Sequence, residues 1–303
     1  SVALISLFPN DIGGSLIVLP PELGIGGDLT LEEIYGSQGP NGLERAIGEY
    51  LSVGFDASSV LGNDFWNEHF SVIGDLSVAL DDDLTISEGG ELNVVFASGK
   101  VTITPERIEE FLSWENKGES PYNRWLRQQN FWISWVEVAG SFNGEIATSN
   151  DAYLELMRMI SALTQGELVL FQPALVEQQI PKLSFATDTS VLQNVILEMI
   201  PFPIAAYEGA RAKVKILDGV GGVDLPNIYV PPLVASGAQI LLLGNAESFG
   251  VDKTQIIYHD KNFNDLVDDF SNALAGAELT YDPISETAID VTVIIGKNSL
   301  ELE

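Results

Sequence analysis

The chain has no cysteine, two histidines, and 14 lysines plus arginines against 44 aspartates plus glutamates. Without cysteine there is no disulfide framework, no thiolate nucleophile and no Cys-based zinc site, so any metal would be held through oxygen ligands. His69 and His259 are far apart in sequence. Neither stands in a nucleophile-elbow sequence, which leaves a Ser-His-Asp site without a signature. The net charge of −30 works against unaided binding to nucleic acid or to an anionic bilayer, because each phosphate contact needs a cation. Long apolar runs are missing too. None approaches the roughly 18 residues of a membrane span, and any signal or anchor is expected upstream of Ser1.

What is present describes a folded chain of one large domain or two: 303 residues, 46% apolar and 19% charged. Val2 to Phe8 and Ser15 to Leu19 flank a turn-forming Pro9–Gly14 and predict a β-hairpin. Leu29 to Leu51 reads as a short helix, a loop at Gly36–Pro40 and a longer helix. Strands are expected at Ser71–Ile73, Ser77–Val78 and Leu92–Phe96. Thr104-Pro105 opens a helix that reaches Trp114. His69 is expected on the surface of an amphipathic helix, and Asp81–Asp83 lacks the spacing of a calcium loop and reads as a solvated turn.

Two further helices are expected, Arg124 to Val138 and Asn150 to Leu163. Trp125, Trp132 and Trp135 recur near one face of the first and read as core. From Lys213 onward strands and helices alternate. Lys213–Leu217, Gln239–Leu243, Thr254–Tyr258 and Asp290–Ile295 are strands; Leu225–Ser236 and Phe263–Leu274 are helices. This pattern predicts a small α/β domain, with one domain over residues 1–207 and a second over 208–303. Gly219, Gly221 and Gly222 follow a strand, but their spacing is not that of a dinucleotide loop and Asp224 would repel an anion, so a plain turn is expected.

In a chain this poor in cations, Ser120–Gln129 (SPYNRWLRQQ) stands out. Arg124 and Arg127 are one helical turn apart, where two planar guanidinium groups suit phosphate or carboxylate oxygens. Gln128 lies beside them and Lys117 is the next cation upstream. The same arginines could instead pair with neighbouring glutamates.

The order of these features resembles the LytR–CpsA–Psr family, bacterial enzymes of the cell envelope that transfer lipid-linked anionic glycopolymers onto peptidoglycan. The likeness over residues 1 to about 207 rests on three elements. They are a strand ending in Leu19-Pro20-Pro21-Glu22, Tyr35–Pro40 ahead of the helix with Arg45, and Arg124-Trp-Leu-Arg127-Gln128-Gln129. Residues 211 to 298 resemble the LytR C-terminal domain through Val214–Gly219, Ile257-Tyr258 and Asp290–Lys297. The resemblance implies an α/β fold with a central mixed β-sheet flanked by helices, plus the small C-terminal α/β domain. It also implies an extracytoplasmic location, and a polyprenyl pyrophosphate held between arginines with Mg²⁺ on aspartates.

Here Pro21 stands where the family has its catalytic arginine, Pro121 replaces an acidic position, and Ser113-Trp-Glu115 replaces an arginine-containing stretch. The resemblance therefore implies a member without transferase chemistry. It would bind or scaffold polyprenyl phosphate, cell-wall glycopolymer or envelope proteins through Arg124, Arg127, Gln128 and Lys117, with no catalytic residue and no resident cofactor. Two alternatives stand beside this reading. One is an active phosphotransferase with Mg²⁺ on Glu22, Asp28 or Asp11. The other is a structural protein that self-associates, its arginines engaged in internal ion pairs.

Overall fold

Two near-continuous apolar runs, VALISL and GSLIVL, produce the first element pair. β1 (Val2–Leu7) runs antiparallel to β2 (Gly14–Leu19), with Val2 opposite Leu19 and Leu7 opposite Gly14. The computed structural model describes residues 1–8, 12–25, 29–141, 151–178, 184–283 and 288–302. Its contacts divide the chain into two units, Ser1–Ala46 with Ala57–Leu192, and Ile47–Asp56 with Gln193–Glu303. The second begins at Gln193, where the sequence pattern places a boundary at 207/208.

In the first unit β2 is buried along its whole length and pairs in parallel with β7 (Leu168–Phe171), giving a mixed three-stranded sheet β1-β2-β7. α1 (Leu31–Leu51) starts from a capping box in which Thr30 N donates to Glu33 Oε2 at 2.9 Å and Glu33 N to Thr30 Oγ1 at 3.4 Å. α2 (Asn63–Ile73) contributes Phe65, Trp66 and Phe70 to the interior. β3 (Leu76–Leu80) pairs with β6 (Gly99–Ile103), and β4 (Leu84–Glu88) with β5 (Glu91–Phe96). α3 (Ile108–Ser113), α4 (Pro121–Gly140) and α5 (Asp151–Thr164) follow, then β8 (Val176–Gln178), β9 (Ser184–Ala186) and α6 (Thr189–Met199), which crosses into the second unit.

α4 supplies the centre of the core. Trp125, Phe131 and Trp135 are fully buried, Trp66 meets Trp135 edge-on at 5.7 Å, and Trp125 Nε1 donates to Val18 O at 2.8 Å. The indole bond satisfies a buried donor and fastens the helix to the central strand.

The second unit is a five-stranded sheet ordered β11-β10-β14-β12-β13, built from β10 (Ala212–Asp218), β11 (Ala238–Asn245), β12 (Gln255–Tyr258), β13 (Glu278–Tyr281) and β14 (Val291–Ile295). β10 is parallel to β11 and β14; β12 is antiparallel to β14 and parallel to β13. Val214, Ile216, Val291 and Val293 form a core with residues of α7 (Val230–Ala235) and α8 (Asn264–Ala273). Pro231 and Pro232 fall in the first turn of α7, which continues directly from a π-helical turn over Leu225–Tyr229. Arg211 is buried among carbonyls. Its Nε donates to Ser52 O at 2.7 Å, and its Nη1 to Val234 O at 2.9 Å and Ala238 O at 3.1 Å.

Three expectations change. Ser71–Ile73 is the last turn of α2, not a strand, because the stripe Phe65, Trp66, Phe70 has the helical period and carries the backbone through to Gly74. The expected loop at Gly36–Pro40 is a kink inside α1, made by Gly39 at φ 71° ahead of Pro40. His69 is buried, 2% exposed, with its ring stacked on Phe65 at 5.1 Å and 5.8 Å from Trp135.

Burial lowers the pKa of His69 from 6.5 to about 4. Between those values the unfolded chain binds a proton that the folded unit refuses, so stability falls as pH falls through that window. All five tryptophans lie between positions 66 and 135, inside the first unit. Tryptophan-monitored denaturation is expected to show this slope, and His69→Phe to flatten it; an unchanged slope would exclude the assignment. For the second unit, Arg211→Ala is expected to cost about 1.5–3 kcal/mol, the range for bonds to a charged group, measured by amide exchange of β10 and β11.

Candidate functional site

The start of α4 gathers the cations that the sequence singled out. Ser120 is the N-cap, its Oγ accepting from Tyr122 N at 3.1 Å, and Pro121 takes the first helical position. Arg124 and Arg127 then fall one turn apart. Upstream, Trp114 ends α3 and Asn116–Glu119 forms a turn closed by Glu119 N donating to Asn116 O at 2.9 Å. Gly118 sits at the third turn position with φ 81°, which a side-chain-bearing residue rarely adopts.

Both guanidinium groups are engaged by carboxylates. Arg124 donates through Nη1 to Glu115 Oε2 at 2.8 Å and through Nη2 to Glu22 Oε1. Arg127 donates through Nη1 to Glu119 Oε1 at 2.5 Å and through Nη2 to Trp114 O. Glu119 is held from the other side too, its Oε2 accepting from Asn116 N at 2.9 Å. Burial opposes the charge of Arg124, but Glu22 and Glu115 outweigh it and raise its pKa above the ordinary arginine value. Arg127 and Glu119 are only 4% and 8% exposed, so removing either one alone would leave a buried charge unpaired.

Gln128 lies on the same helix and donates from Nε2 to Leu112 O at 2.9 Å, tying α4 to α3. Lys117 is exposed in the turn. The structure thus brings Arg124, Arg127 and Gln128 together on α4 and adds three residues that the sequence reading did not assign as their partners: Glu22, Glu115 and Glu119. Glu115 and Glu119 had a local signal, being the acids just upstream of the arginines. Glu22 had none, since it lies 102 residues from Arg124.

Of the three carboxylates considered for Mg²⁺, Asp11 and Asp28 lie outside the described residues. Glu22 has one oxygen on Arg124 and the other buried without a partner. Among the described residues no three His, Asp or Glu side chains converge. Asp81 to Asp83 form an exposed turn between β3 and β4, where Asp83 Oδ1 accepts from Ser98 N at 2.6 Å.

The glycine loop after β10 is filled by the protein itself. Asp218 Oδ1 accepts from Val220 N at 2.8 Å and Gly221 N at 2.7 Å, and its Oδ2 from Gly222 N at 2.6 Å and Val223 N at 3.3 Å. A ring of backbone N–H groups is the arrangement that receives anions, and here a buried carboxylate takes that place.

No protein-family model and no curated protein matches the chain. Solved structures with a similar fold include B. subtilis TagV, at 13% identity and TM-score 0.50 over 66% of this chain and 88% of that one. A second is TagT bound to LIIa-WTA, at 13% and 0.50 over 66% of this chain and 84% of that one. A third is a transcriptional regulator from Enterococcus faecalis, at 13% and 0.50 over 68% and 83%. Over about two thirds of its length the chain therefore has the mixed α/β, LytR–CpsA–Psr-like fold of these structures.

Burial pushes the Asp218 carboxyl up, but the four N–H donors outweigh it and hold the group below the usual carboxylate range. Its contribution is present above that range and lost as pH falls through the lowered value. Asp218→Ala is expected to destabilise the second unit by about 1.5–3 kcal/mol at neutral pH, with the difference shrinking in acid. Denaturation of both forms across pH checks this, and equal stability at neutral pH would refute it.

Proposed function

We propose that this chain is an extracytoplasmic cell-envelope protein of the LytR–CpsA–Psr type that binds or scaffolds envelope components without glycopolymer transfer. One observation carries the reading: the Nη groups of Arg124 and Arg127 face Glu22, Glu115, Glu119 and a backbone carbonyl. A departing pyrophosphate accumulates negative charge, and catalysis of that step needs cations free to meet it. A guanidinium already neutralised by buried carboxylates contributes little there, and each carboxylate repels the incoming phosphate.

The ligand classes that suit the fold are a polyprenyl phosphate and a cell-wall glycopolymer, in keeping with TagT bound to LIIa-WTA. Envelope proteins or a second copy of the chain are further partners in this reading. The second unit is read as a LytR C-terminal-like domain, since Val214–Gly219, Ile257-Tyr258 and Asp290–Lys297 fall on β10, β12 and β14 with their adjoining turns. Among the described residues no helix is long and apolar enough to cross a membrane.

Incubation with a lipid-linked pyrophosphate donor and Mg²⁺, followed by mass spectrometry, is expected to show neither hydrolysis nor transfer. Native mass spectrometry with polyprenyl phosphate is expected to show an adduct that weakens by about tenfold in Arg124→Ala, the loss of one charged contact. Mg²⁺-dependent turnover would overturn the non-catalytic reading, and a wild-type protein without any adduct would overturn lipid binding.

A further inference from the structure

Arg124 sits between two carboxylates that differ sharply in accessibility: the Glu22 side chain is 8% exposed and the Glu115 side chain 64%. The turn that carries Glu115 is fixed at its other end. Glu119 bridges Arg127 Nη1 and Asn116 N, and Trp114 O accepts from Arg127 Nη2. Asn116 adds three side-chain bonds: its Oδ1 accepts from Thr85 N at 2.8 Å and Trp114 Nε1 at 3.1 Å, and its Nδ2 donates to Asp83 O at 2.9 Å. Among the described residues Glu115 has no second anchor of this kind; its carboxylate, 64% exposed, meets Arg124 from the solvent side. The Arg124 guanidinium also keeps a buried Nε–H without a partner.

We infer that Trp114–Glu119 is an anionic strap, fastened at Asn116 and Glu119, whose Glu115 carboxylate covers Arg124 and gives way to a phosphate-bearing ligand. The inference rests on the binding role proposed above and specifies how the same site is regulated. The chemistry is anion exchange at one N–H group: a phosphate oxygen takes Arg124 Nη1 as the Glu115 carboxylate turns out to water. Neither group changes covalently. Glu22 stays in place on Nη2, and Arg127, enclosed on both Nη groups, remains the fixed end. A diphosphate suits the exchange better than a monocarboxylate because its oxygens carry more charge against a pair that solvent already weakens.

The test titrates the full chain with inorganic pyrophosphate by calorimetry at constant low ionic strength. Glu115→Gln keeps the turn, removes an exposed charge, and is expected to bind about three- to tenfold tighter than wild type, the range of one exposed ion pair. Glu247→Gln, an exposed site in the second unit, makes the same change in net charge and is expected to leave binding unaltered. Adding Arg124→Gln to Glu115→Gln is expected to abolish the gain. Tryptophan-monitored melting confirms that each variant is folded before titration. If Glu115→Gln binds no tighter than Glu247→Gln, the strap is refuted, whatever the turnover assay shows. Turnover by wild type with the gain intact would refute the non-catalytic reading and leave the strap standing.

Discussion

The first unit depends on how a protein with few cations places two arginines at the start of its central helix. Arg127 is enclosed by Glu119 and by the carbonyl that ends α3, and Gln128 reaches the same short helix from the next position. These bonds fix the first turns of α4 against α3, while Trp125 fixes the same stretch against β2. Once that end is set, Phe131 and Trp135 follow at helical spacing into the core around Trp66. A buried charge held by a carboxylate adds little net stability over apolar packing, yet it tolerates few alternative arrangements. It therefore selects one seat for the helix.

The two units share a physical device. Each has a cluster of N–H donors suited to an oxyanion, and each fills it with a carboxylate of its own: Glu22, Glu115 and Glu119 at the arginines, Asp218 at the glycine loop. A chain with 44 acidic residues has such groups at hand everywhere, so a donor cluster meets an internal acid before it meets a solute. The two cases differ in depth. Asp218 is buried and takes four backbone bonds, whereas Glu115 lies mostly in water. The first is a structural element; the second is a contact that an anion from solution can contest.

Likeness to TagV and TagT at 13% identity establishes a shared arrangement of helices and sheets. Fold alone does not carry activity, because catalysis resides in side chains placed on the scaffold. In this protein those side chains include Pro21 and Glu22 at the end of the strand and Glu115 ahead of the arginines. Pro21 is uncharged, and the charge of Glu22 and Glu115 is opposite to what a departing phosphate requires. The non-catalytic role proposed above therefore rests on these side chains and not on the scaffold.

Much of the architecture was legible in the amino-acid order. The hairpin at the start, the helix with Arg124 and Arg127, the tryptophan stripe and the alternation of strands and helices after Lys213 all follow from local periodicity and turn chemistry. The sequence also identified the arginines as unusual, since scarcity of cations is a property of composition. It misplaced His69 and the end of α2, where an aromatic stripe mixed with polar residues reads as surface until neighbouring rings close over it. Glu115 and Glu119 were within local reach of the arginines, but tertiary structure alone brought Glu22 to Arg124. Glu22 approaches Arg124 across 102 residues of chain, and no periodicity links them. Charge pairing at that range is set by how β2 and α4 pack, so the sequence could name the cations and the acids next to them, while only the fold could add Glu22.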